Sequence, residues 1–508
     1  MRKIRGFLFL MLLAAGATLA AAVKMPAIFS DHMVLQRNRK LKVWGWADEG
    51  EKITVTFKGA SVSTVAVKGK WLVTLPEFPA DKKGAEMVVS GTNRLVFKDV
   101  VVGDVWICSG QSNMAWRMER TENAEKMIAK CADARIRLFY GNTTAISRVP
   151  QEDFPGKNLR WELCEPRTLP RFSGVGYYFG MNLAQSLDVP VGLISVNRGS
   201  SRIDAWTPPC GFAQRAALKS IYNFTARNIP GTPQYRKHTK MVMTGVDKWL
   251  TANRKNLAAG KPLEDMPFYL HKALEVKPAH PAVMFNTMIN PIIRFGVRGA
   301  IWYQGCSNVN EGDLYREKMH ALVDSWRKLF EVPDMPFYFV QLAPYKYNRF
   351  DGLPVFWEAQ QKYADEAVNA AMAVITDIGN HTDIHPRNKH DVGKRLALLA
   401  LKYTYGKKVV ADSPFYASHK VDGKKVVVSF RNAKKLQSKD GKAIRHFEVA
   451  GKDGVFHPAK AEIIGNQVVV SSEKVAAPVM VRFGWDAGIV TNLVNEAGLP
   501  AGSFRTQK

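Results

Sequence analysis

The chain has 508 residues, of which 46% are hydrophobic and 23% are charged. This composition excludes a disordered chain, a collagen-like repeat and a polytopic membrane protein, and five cysteines are too few for a disulfide scaffold in a chain of this length. Lysine and arginine number 72 against 45 acidic residues, which gives a net charge of +27. An excess of this size raises the question of a nucleic-acid or membrane-surface partner.

The N-terminus predicts a secretory signal peptide over residues 1–22. Arg2, Lys3 and Arg5 precede an apolar run, and Ala20–Ala22 supply the small side chains that signal peptidase accepts. The run is too short for a comfortable membrane span, which needs about 20 residues; an anchor helix is the alternative. We therefore expect a secreted or periplasmic protein with no stable membrane span after cleavage, which lowers the net charge from +27 to +24.

The remaining basic residues are dispersed along the chain. The largest groups are small, such as Arg236, Lys237 and Lys240, and no block of five or six like charges occurs. Helix-turn-helix, zinc-finger and RNA-binding signatures are absent from the sequence. The charge pattern predicts a solvated basic surface and no nucleic-acid partner.

Residues 23–100 predict an N-terminal β domain. Short runs rich in β-branched and aromatic residues alternate with Gly, Pro, Asp and Lys-Gly turns, at the spacing of a small sandwich. The runs are Leu41–Trp46, Ile53–Phe57, Trp71–Leu75 and Met87–Ser90.

Residues 101–412 predict a doubly wound α/β domain. Six compact apolar runs lack strict alternation, which is typical of strands buried on both faces of a parallel sheet. They begin at Val105, Ile136, Val191, Ala300, Phe337 and Met372. A helical apolar stripe over 315–326 supports strand–helix alternation, and ligands of such domains bind at the carboxyl ends of the strands. A helix-leaning insertion over about 210–275 is placed to cover the site, and residues 413–508 return to a period of two, which predicts a C-terminal β module.

The segment 104–116 carries the strongest local signal for chemistry. A buried strand ends at Gly110, and we expect a helix from about Ser112 through Met118. At such a junction, backbone N–H groups and the helix dipole favour the negative charge of an acyl-transfer intermediate. Ser112 is therefore a candidate nucleophile, with a helix-capping serine as the alternative. The G-x-S-x-G pattern is not met, because Met114 replaces its second glycine.

A serine nucleophile needs a base, and the segment 377–389 offers one just past the last buried strand. His385 is the best-placed imidazole, and Asp383 and Asp377 are both candidates to orient it.

The same segment raises a metal site as an alternative. His381 lies four residues before His385, and His390 is near. Pro386 disfavours a helix around the histidine pair, and neither a cysteine pair nor a glutamate-bearing zinc motif accompanies it, so we expect no metal.

Two more loops follow buried strands. Residues 199–206 offer small side chains and backbone N–H groups, and residues 303–308 offer the side-chain amide of Gln304. A backbone N–H and an amide N–H together meet the need of an oxyanion hole. Taken singly each loop is an ordinary turn, but four such loops in one α/β domain favour an esterase site.

The chain resembles the sialate O-acetylesterase family of SGNH-type hydrolases. The resemblance rests on Gly110-Gln-Ser-Asn-Met, Ile301-Trp-Tyr-Gln-Gly-x-Ser-Asn and Asp383-Ile-His-Pro, and extends to Ile28–Gln36 and Asn495–Thr506. It implies a flavodoxin-like α/β/α hydrolase domain with flanking β-sandwich-like modules, no metal or organic cofactor, and an acetylated carbohydrate as substrate. Five cysteines allow at most two disulfide pairs, which the sequence does not assign.

Residue by residue, the resemblance implies Ser112 as nucleophile and His385 as base. It implies the N–H of Ser112, Gly199 and the amide of Gln304 as the oxyanion hole, with Asp383 as the candidate partner of the histidine. SGNH enzymes often carry an aspartate three residues before the histidine, where this chain has a threonine.

Two further departures concern the loops. The family usually shows Gly-Gly-Thr where this chain has Gly199-Ser200-Ser201, and glutamate where Cys306 stands. The leading hypothesis is a serine esterase that removes O-acetyl groups from sugars, with sialate O-acetylesterase as the favoured activity. The alternatives are an acetyl xylan or other hemicellulose acetylesterase, a glycan-binding protein that has lost catalysis, and a glycosidase using Asp377 and Asp383.

Overall fold

The computed structural model describes residues 22–267, 269–270, 275–347, 352–380 and 382–506. The predicted signal peptide, apart from its last residue, and His381 of the metal alternative lie outside these residues. Within them, no helix is both long enough and apolar enough to cross a membrane.

Seven strands form the N-terminal part of the fold. They are β1 (Val34–Gln36), β2 (Leu41–Trp46), β3 (Lys52–Phe57), β4 (Ala60–Val65), β5 (Lys70–Leu75), β6 (Asp81–Ser90) and β7 (Arg94–Gly110). The 17-residue β7 first pairs with β6 antiparallel, and from Val100 onward it is buried. The predicted boundary between residues 100 and 101 therefore falls inside one continuous strand that joins the N-terminal strands to the central sheet.

The central sheet continues through β8 (Asp133–Tyr140), β9 (Trp161–Cys164), β10 (Val191–Asn197), β11 (Gly299–Tyr303), β12 (Phe337–Val340) and β13 (Ala370–Ala373). Its order is β13-β12-β11-β7-β10-β8-β9, and every neighbouring pair is parallel except β8 with β9. Each of the six buried runs predicted from the sequence contributes to one parallel strand. The α/β fold class is confirmed.

Nine α-helices lie within the described residues. They are α1 (Ser112–Ala115), α2 (Ala124–Ala129), α3 (Gly174–Leu187), α4 (Pro209–Ala213), α5 (Lys219–Ala226), α6 (Pro233–Ala258), α7 (Leu314–Leu329), α8 (Leu353–Glu366) and α9 (Lys389–Tyr403). Helix α7 contains the predicted apolar stripe, and α5 and α6 lie in the predicted insertion.

Helices α3 and α7 pack on opposite faces of the sheet. Phe337 of β12 contacts Trp326 of α7, with ring centroids 6.2 Å apart. Its neighbour Tyr338 stacks on Trp106, which contacts Phe179 of α3 at 5.0 Å. Because successive residues of a strand point to opposite faces, the two helices sandwich the sheet, as an α/β/α domain requires.

The C-terminal residues form antiparallel β structure with its own apolar core. Its strands are β14 (Phe415–Asp422), β15 (Lys425–Arg431), β16 (Leu436–Ser438), β17 (Phe447–Ala450), β18 (Phe456–Pro458), β19 (Lys460–Ile464), β20 (Gln467–Ser471), β21 (Met480–Phe483), β22 (Leu493–Asn495) and β23 (Phe504–Arg505). Two four-stranded sheets result, in the orders β14-β15-β20-β19 and β18-β17-β21-β23.

Candidate active site

The site begins at the sharp turn after β7. Gly110 has a φ of 141°, and a Cβ at this position would lie 2.3 Å from the carbonyl oxygen of Tyr303 in the adjacent strand β11. Only glycine fits so close to a neighbouring backbone in this conformation. The turn brings Ser112 to the first position of α1, at the carboxyl end of the central strand.

Helix α1 is shorter than predicted, because it ends at Ala115 instead of continuing to Met118. Beyond it the backbone bonds to another segment: the N–H of Gly174 donates to the carbonyl of Trp116, and the N–H of Met118 donates to the carbonyl of Phe172, both at 2.8 Å. These long-range hydrogen bonds replace helical ones, so the chain leaves the helix after one turn.

Ser112 and His385 form a hydrogen-bonded pair. The Oγ of Ser112 lies 2.9 Å from the Nε2 of His385, although 273 residues separate them. The Oδ1 of Asp383 accepts a hydrogen bond from the backbone N–H of His385 at 2.8 Å and lies 3.5 Å from its Nδ1. The indole of Trp116 stacks on the imidazole, with centroids 4.9 Å apart and planes 18° from parallel. The imidazole is thus held from three sides.

The electrostatic surroundings keep His385 neutral. Burial lowers the pKa of the imidazole from its usual value, and the nearby Lys389 ammonium lowers it further, while Asp383 opposes the shift. A neutral imidazole with Nε2 beside a serine hydroxyl can accept the hydroxyl proton. The arrangement can therefore perform general-base activation of a serine.

Asn113 joins the serine turn to the histidine loop. Its Nδ2 donates to the carbonyl of Ile384 at 3.0 Å, and its Oδ1 accepts from the Nζ of Lys389 at 2.6 Å. Lys389 is 1% exposed and also lies over the rings of Trp116 and Tyr303. Because the Asn113 side chain bonds to residues on both sides of His385 in the chain, it sets the distance between the two loops that carry Ser112 and His385.

Lys389 has no carboxylate within ion-pair distance in the part of the chain that the structure describes. Burial therefore lowers the pKa of its ammonium to about 7. Cys306, at the position where the resemblance implies a glutamate, lies close enough to Lys389 to interact with it electrostatically. All five cysteines are within the described residues and none forms a disulfide. Burial raises the pKa of the Cys306 thiol, so this group is uncharged beside the buried lysine.

Lys389→Met is expected to change how thermal stability depends on pH. The folded protein lowers the Lys389 pKa from 10.5 to about 7, so between these values the unfolded chain binds more protons. Wild-type stability should rise with pH through this window, by up to about 1.4 kcal/mol per pH unit from this group. Lys389→Met lacks this rise.

The measurement is the thermal midpoint of both proteins from pH 7 to pH 10, with the exposed Lys394→Met as control. We expect the midpoint of Lys389→Met, relative to that of wild type, to fall as pH increases, and the control to follow wild type. Parallel profiles for Lys389→Met and wild type would contradict the lowered pKa.

Gly199 lies beside the serine. A Cβ added at Gly199 would be 3.7 Å from the Cβ of Ser112, and the N–H of Arg198 donates to the carbonyl of Gly110 at 3.0 Å. Within the described part of the chain, neither the N–H of Ser112 nor that of Gly199 donates a hydrogen bond. Two backbone donors next to one hydroxyl can bind an oxyanion.

Gln304 is placed differently from the expectation. Its side chain is fully buried, and its Nε2 donates to the carbonyl of Ser201 at 3.0 Å and to the Oδ1 of Asn308 at 2.8 Å. Its Oε1 accepts from the hydroxyl of Tyr315 at 3.0 Å. Both amide hydrogens are occupied, so the side chain offers no donor to an oxyanion. In this arrangement Gln304 ties the loop after β10 to the loop after β11.

Gln304→Ala is expected to lower stability rather than to remove an oxyanion donor. Three buried partners lose a hydrogen bond, which predicts a cost of about 2–4 kcal/mol. Thermal unfolding and kcat measured together separate the two roles, with Gln361→Ala, whose amide bonds Asp365 at the surface, as the matched control. A fall of kcat by about a hundredfold or more with an unchanged thermal midpoint would instead assign Gln304 to the oxyanion.

Asp377 lies outside the pair. Its carboxylate accepts two hydrogen bonds from Arg395, at 2.6 and 2.7 Å, and one from Lys439 at 2.6 Å. The two cations hold the pKa of this buried carboxyl below its usual value against the effect of burial. Asp377 thus joins the α/β domain to the C-terminal strands, and as a fully paired carboxylate it disfavours the glycosidase hypothesis. Among the described residues, no group of three or more His, Cys, Asp or Glu side chains could hold a metal ion.

Three residues at the site were not singled out from the sequence: Asn113, Trp116 and Lys389. Two of them lie in the segment already chosen for Ser112, and Lys389 lies four residues after His385. Proximity to a candidate nucleophile or base is a usable signal, but the sequence does not say which neighbours turn inward.

The chain is similar to several known esterases. A family model described as carbohydrate esterase, sialic acid-specific acetylesterase, matches residues 279–402. The sialate O-acetylesterase of Rattus norvegicus is 28% identical over 446 residues, covering 79% of this chain and 77% of the rat protein. The human protein of the same name is 25% identical over 441 residues, covering 80% and 75%.

The crystal structure of a carbohydrate acetylesterase from Xanthomonas citri superposes with a TM-score of 0.79 at 32% identity, covering 96% of this chain and 100% of that one. The chain belongs to the sialate O-acetylesterase family of carbohydrate esterases. It is therefore a carboxylic ester hydrolase. The described residues form a mixed α/β fold with additional β-sheet modules, and the Xanthomonas citri neighbour is a carbohydrate acetylesterase of the SGNH type.

Proposed function

We propose that this enzyme hydrolyses O-acetyl esters of saccharides through an acetylated Ser112. The observation that carries the proposal is the 2.9 Å contact between the Ser112 hydroxyl and the Nε2 of His385. This contact sits at the carboxyl end of the central strands, where α/β domains bind ligands. The names of the related esterases support an acetylated sugar as substrate.

In the first half of the reaction, His385 Nε2 accepts the hydroxyl proton while Ser112 Oγ forms a bond to the acetyl carbonyl carbon. The N–H groups of Ser112 and Gly199 stabilise the oxyanion that develops. The carbon–oxygen bond to the sugar then breaks, and the sugar oxygen takes the proton from His385. The sugar leaves and an acetyl group remains on Ser112.

In the second half, water replaces the sugar. His385 accepts a proton from water as the water oxygen bonds to the acetyl carbon, the same N–H groups stabilise the oxyanion, and the bond to Ser112 breaks. The proton on His385 returns to Ser112, and the product leaves as acetic acid, which ionises to acetate by releasing its proton to solvent. Asp383, near Nδ1, stabilises the imidazolium that forms in each half.

The test measures acetate release from a chromogenic acetyl ester, together with labelling by a serine-directed fluorophosphonate. We expect turnover and a single adduct, located on Ser112 by mass spectrometry. Glycan binding with neither turnover nor an adduct would contradict the proposal and favour a binding protein that has lost catalysis.

For the substrate we propose O-acetylated sialic acids, supported by the family model and the mammalian relatives. Acetylated hemicellulose is the second candidate, because the Xanthomonas citri relative is called a carbohydrate acetylesterase without reference to sialic acid. Comparison of kcat/KM on acetylated sialic acids and on acetylated xylan decides between them; a higher value on xylan would overturn the first assignment.

We also propose that the protein is exported, from the basic and apolar pattern of residues 1–22. The intact mass of the protein recovered from a periplasmic or culture fraction is expected to lack these residues. A full-length mass in that fraction would contradict cleavage.

A further inference from the structure

One cavity of the structure is lined by neither Ser112 nor His385. Its volume is about 940 Å³, and its walls come from helices α5 and α6, the loop after β8 and the segment 275–280. This volume is in the range of pockets that bind small organic ligands. No step of the acetyl transfer proposed above involves this cavity.

The cavity has a strong excess of positive charge. Among the described residues that line it are the cations Arg148, Arg227, Lys237 and Lys277 and one carboxylate, Glu275. Glu275 lies 3.4 Å from the Nζ of Lys277. In the part of the chain that the structure describes, no carboxylate lies within ion-pair distance of the other three cations. Three charges that are not neutralised locally create a positive potential inside a concave surface.

The same cavity offers an aromatic surface. Phe224 is 37% exposed, and its ring centroid lies 5.3 Å from that of His280. The guanidinium of Arg227 lies 5.5 Å from the centroid of the Phe224 ring. Burial and the neighbouring cations Lys277 and Arg148 lower the pKa of His280, so this ring is neutral at pH 7. A partly exposed ring between cations suits a ligand with an apolar face and a carboxylate, because arginine binds carboxylates with paired hydrogen bonds.

The cavity is connected to the serine loop through Arg198. The loop that carries Arg148 follows β8, and the side chain of Arg198 donates to the carbonyl of Thr144 in this loop at 2.8 Å. The N–H of Arg198 donates to the carbonyl of Gly110, two residues before Ser112. The cavity wall and the nucleophile are therefore carried by loops at the same edge of the sheet.

We propose that this cavity is a subsite for a carboxylated sugar unit other than the unit that carries the acetyl group. The aromatic ring packs on the C–H face of the sugar, and the arginines and lysines bind its carboxylate. This inference rests on the proposed function in that it makes the preferred substrate an acetylated, acidic oligosaccharide. It assigns part of the dispersed positive charge to substrate recognition.

The test is direct binding of tetragalacturonate, an acidic tetrasaccharide without acetyl groups, measured by calorimetry with the intact protein. The pocket variant is Arg227→Gln with Lys237→Gln. The matched control is Arg254→Gln with Lys248→Gln, which removes one arginine and one lysine from exposed positions of α6 outside the cavity. Neutral cellotetraose serves as the uncharged ligand.

We expect wild type and control to bind tetragalacturonate with similar affinity, the pocket variant to bind it about tenfold or more weakly, and cellotetraose to bind weakly to all three. Rates on the neutral chromogenic acetyl ester should be unchanged in both variants. The proposal is overturned if wild type does not bind the acidic ligand, if pocket and control variants lose affinity equally, or if cellotetraose binds as well. Because binding is measured without turnover, failure of the esterase assignment alone would leave this result unaffected.

Discussion

Ser112→Ala is expected to reduce acetate release by at least about a thousandfold. The hydroxyl supplies the atom that accepts the acetyl group, and no other serine hydroxyl is described as bonded to His385. The remaining rate should come from substrate binding and the two backbone N–H groups alone. Turnover of the same chromogenic ester measures the loss of rate, and the fluorophosphonate label measures the loss of the nucleophile.

A matched control is available in Ser307→Ala. This serine lies in the loop after β11, and its backbone N–H bonds to the side chain of Gln111 just before the nucleophile. Its hydroxyl has no proposed role, so the rate should stay within about threefold of wild type. Equal rates for Ser112→Ala and wild type would exclude Ser112 as the nucleophile.

His385→Asn is expected to lower kcat by about a thousandfold or more, because no other base lies beside the Ser112 hydroxyl in the described structure. Labelling of Ser112 by the fluorophosphonate should slow by a similar factor, since it requires the same proton transfer. Asp383→Asn should lose less than His385→Asn, because the carboxylate acts only through the imidazole, at 3.5 Å from its Nδ1. A larger loss in Asp383→Asn would contradict this ranking.

The pH dependence of kcat/KM tests the role of His385 as a base and its lowered pKa. The base works when neutral, so activity should fall as pH drops through the His385 pKa, and burial and Lys389 set that pKa below its usual 6.5. Lys389→Met removes a positive charge near the imidazole, which should raise the His385 pKa and move the acid limb to higher pH. An acid limb above pH 6.5 in wild type would contradict the lowered pKa.

Local patterns in the sequence were sufficient to predict the parallel strands and the loops that follow them. A strand buried on both faces needs a continuous apolar run, and residues after such strands meet at one edge of a parallel sheet. For this reason the sequence alone predicts that Ser112, Gly199 and His385 are neighbours. The sequence did not predict where α1 ends or that β7 is one continuous strand. Long-range backbone hydrogen bonds and the pairing of strands decide where these elements end.

The side-chain amides show most clearly what the sequence does not predict. Gln304 and Asn113 both follow buried strands within motifs of the family, yet the amide of Gln304 is consumed by Ser201 and Asn308, while that of Asn113 connects the serine and histidine loops. A sequence states which donors are present near a site, but their direction depends on rotamers and on partners far along the chain.

The distribution of the positive charge also depends on the tertiary structure. By itself the sequence determined that the protein is basic, that the excess is spread over its length, and that no nucleic-acid signature accompanies it. Only the tertiary structure decided that Arg148, Arg227 and Lys237, which are up to 89 residues apart in the numbering, line one cavity with little compensating negative charge. Electrostatic potential depends on distances in space, and folding sets those distances for residues that the chain keeps apart.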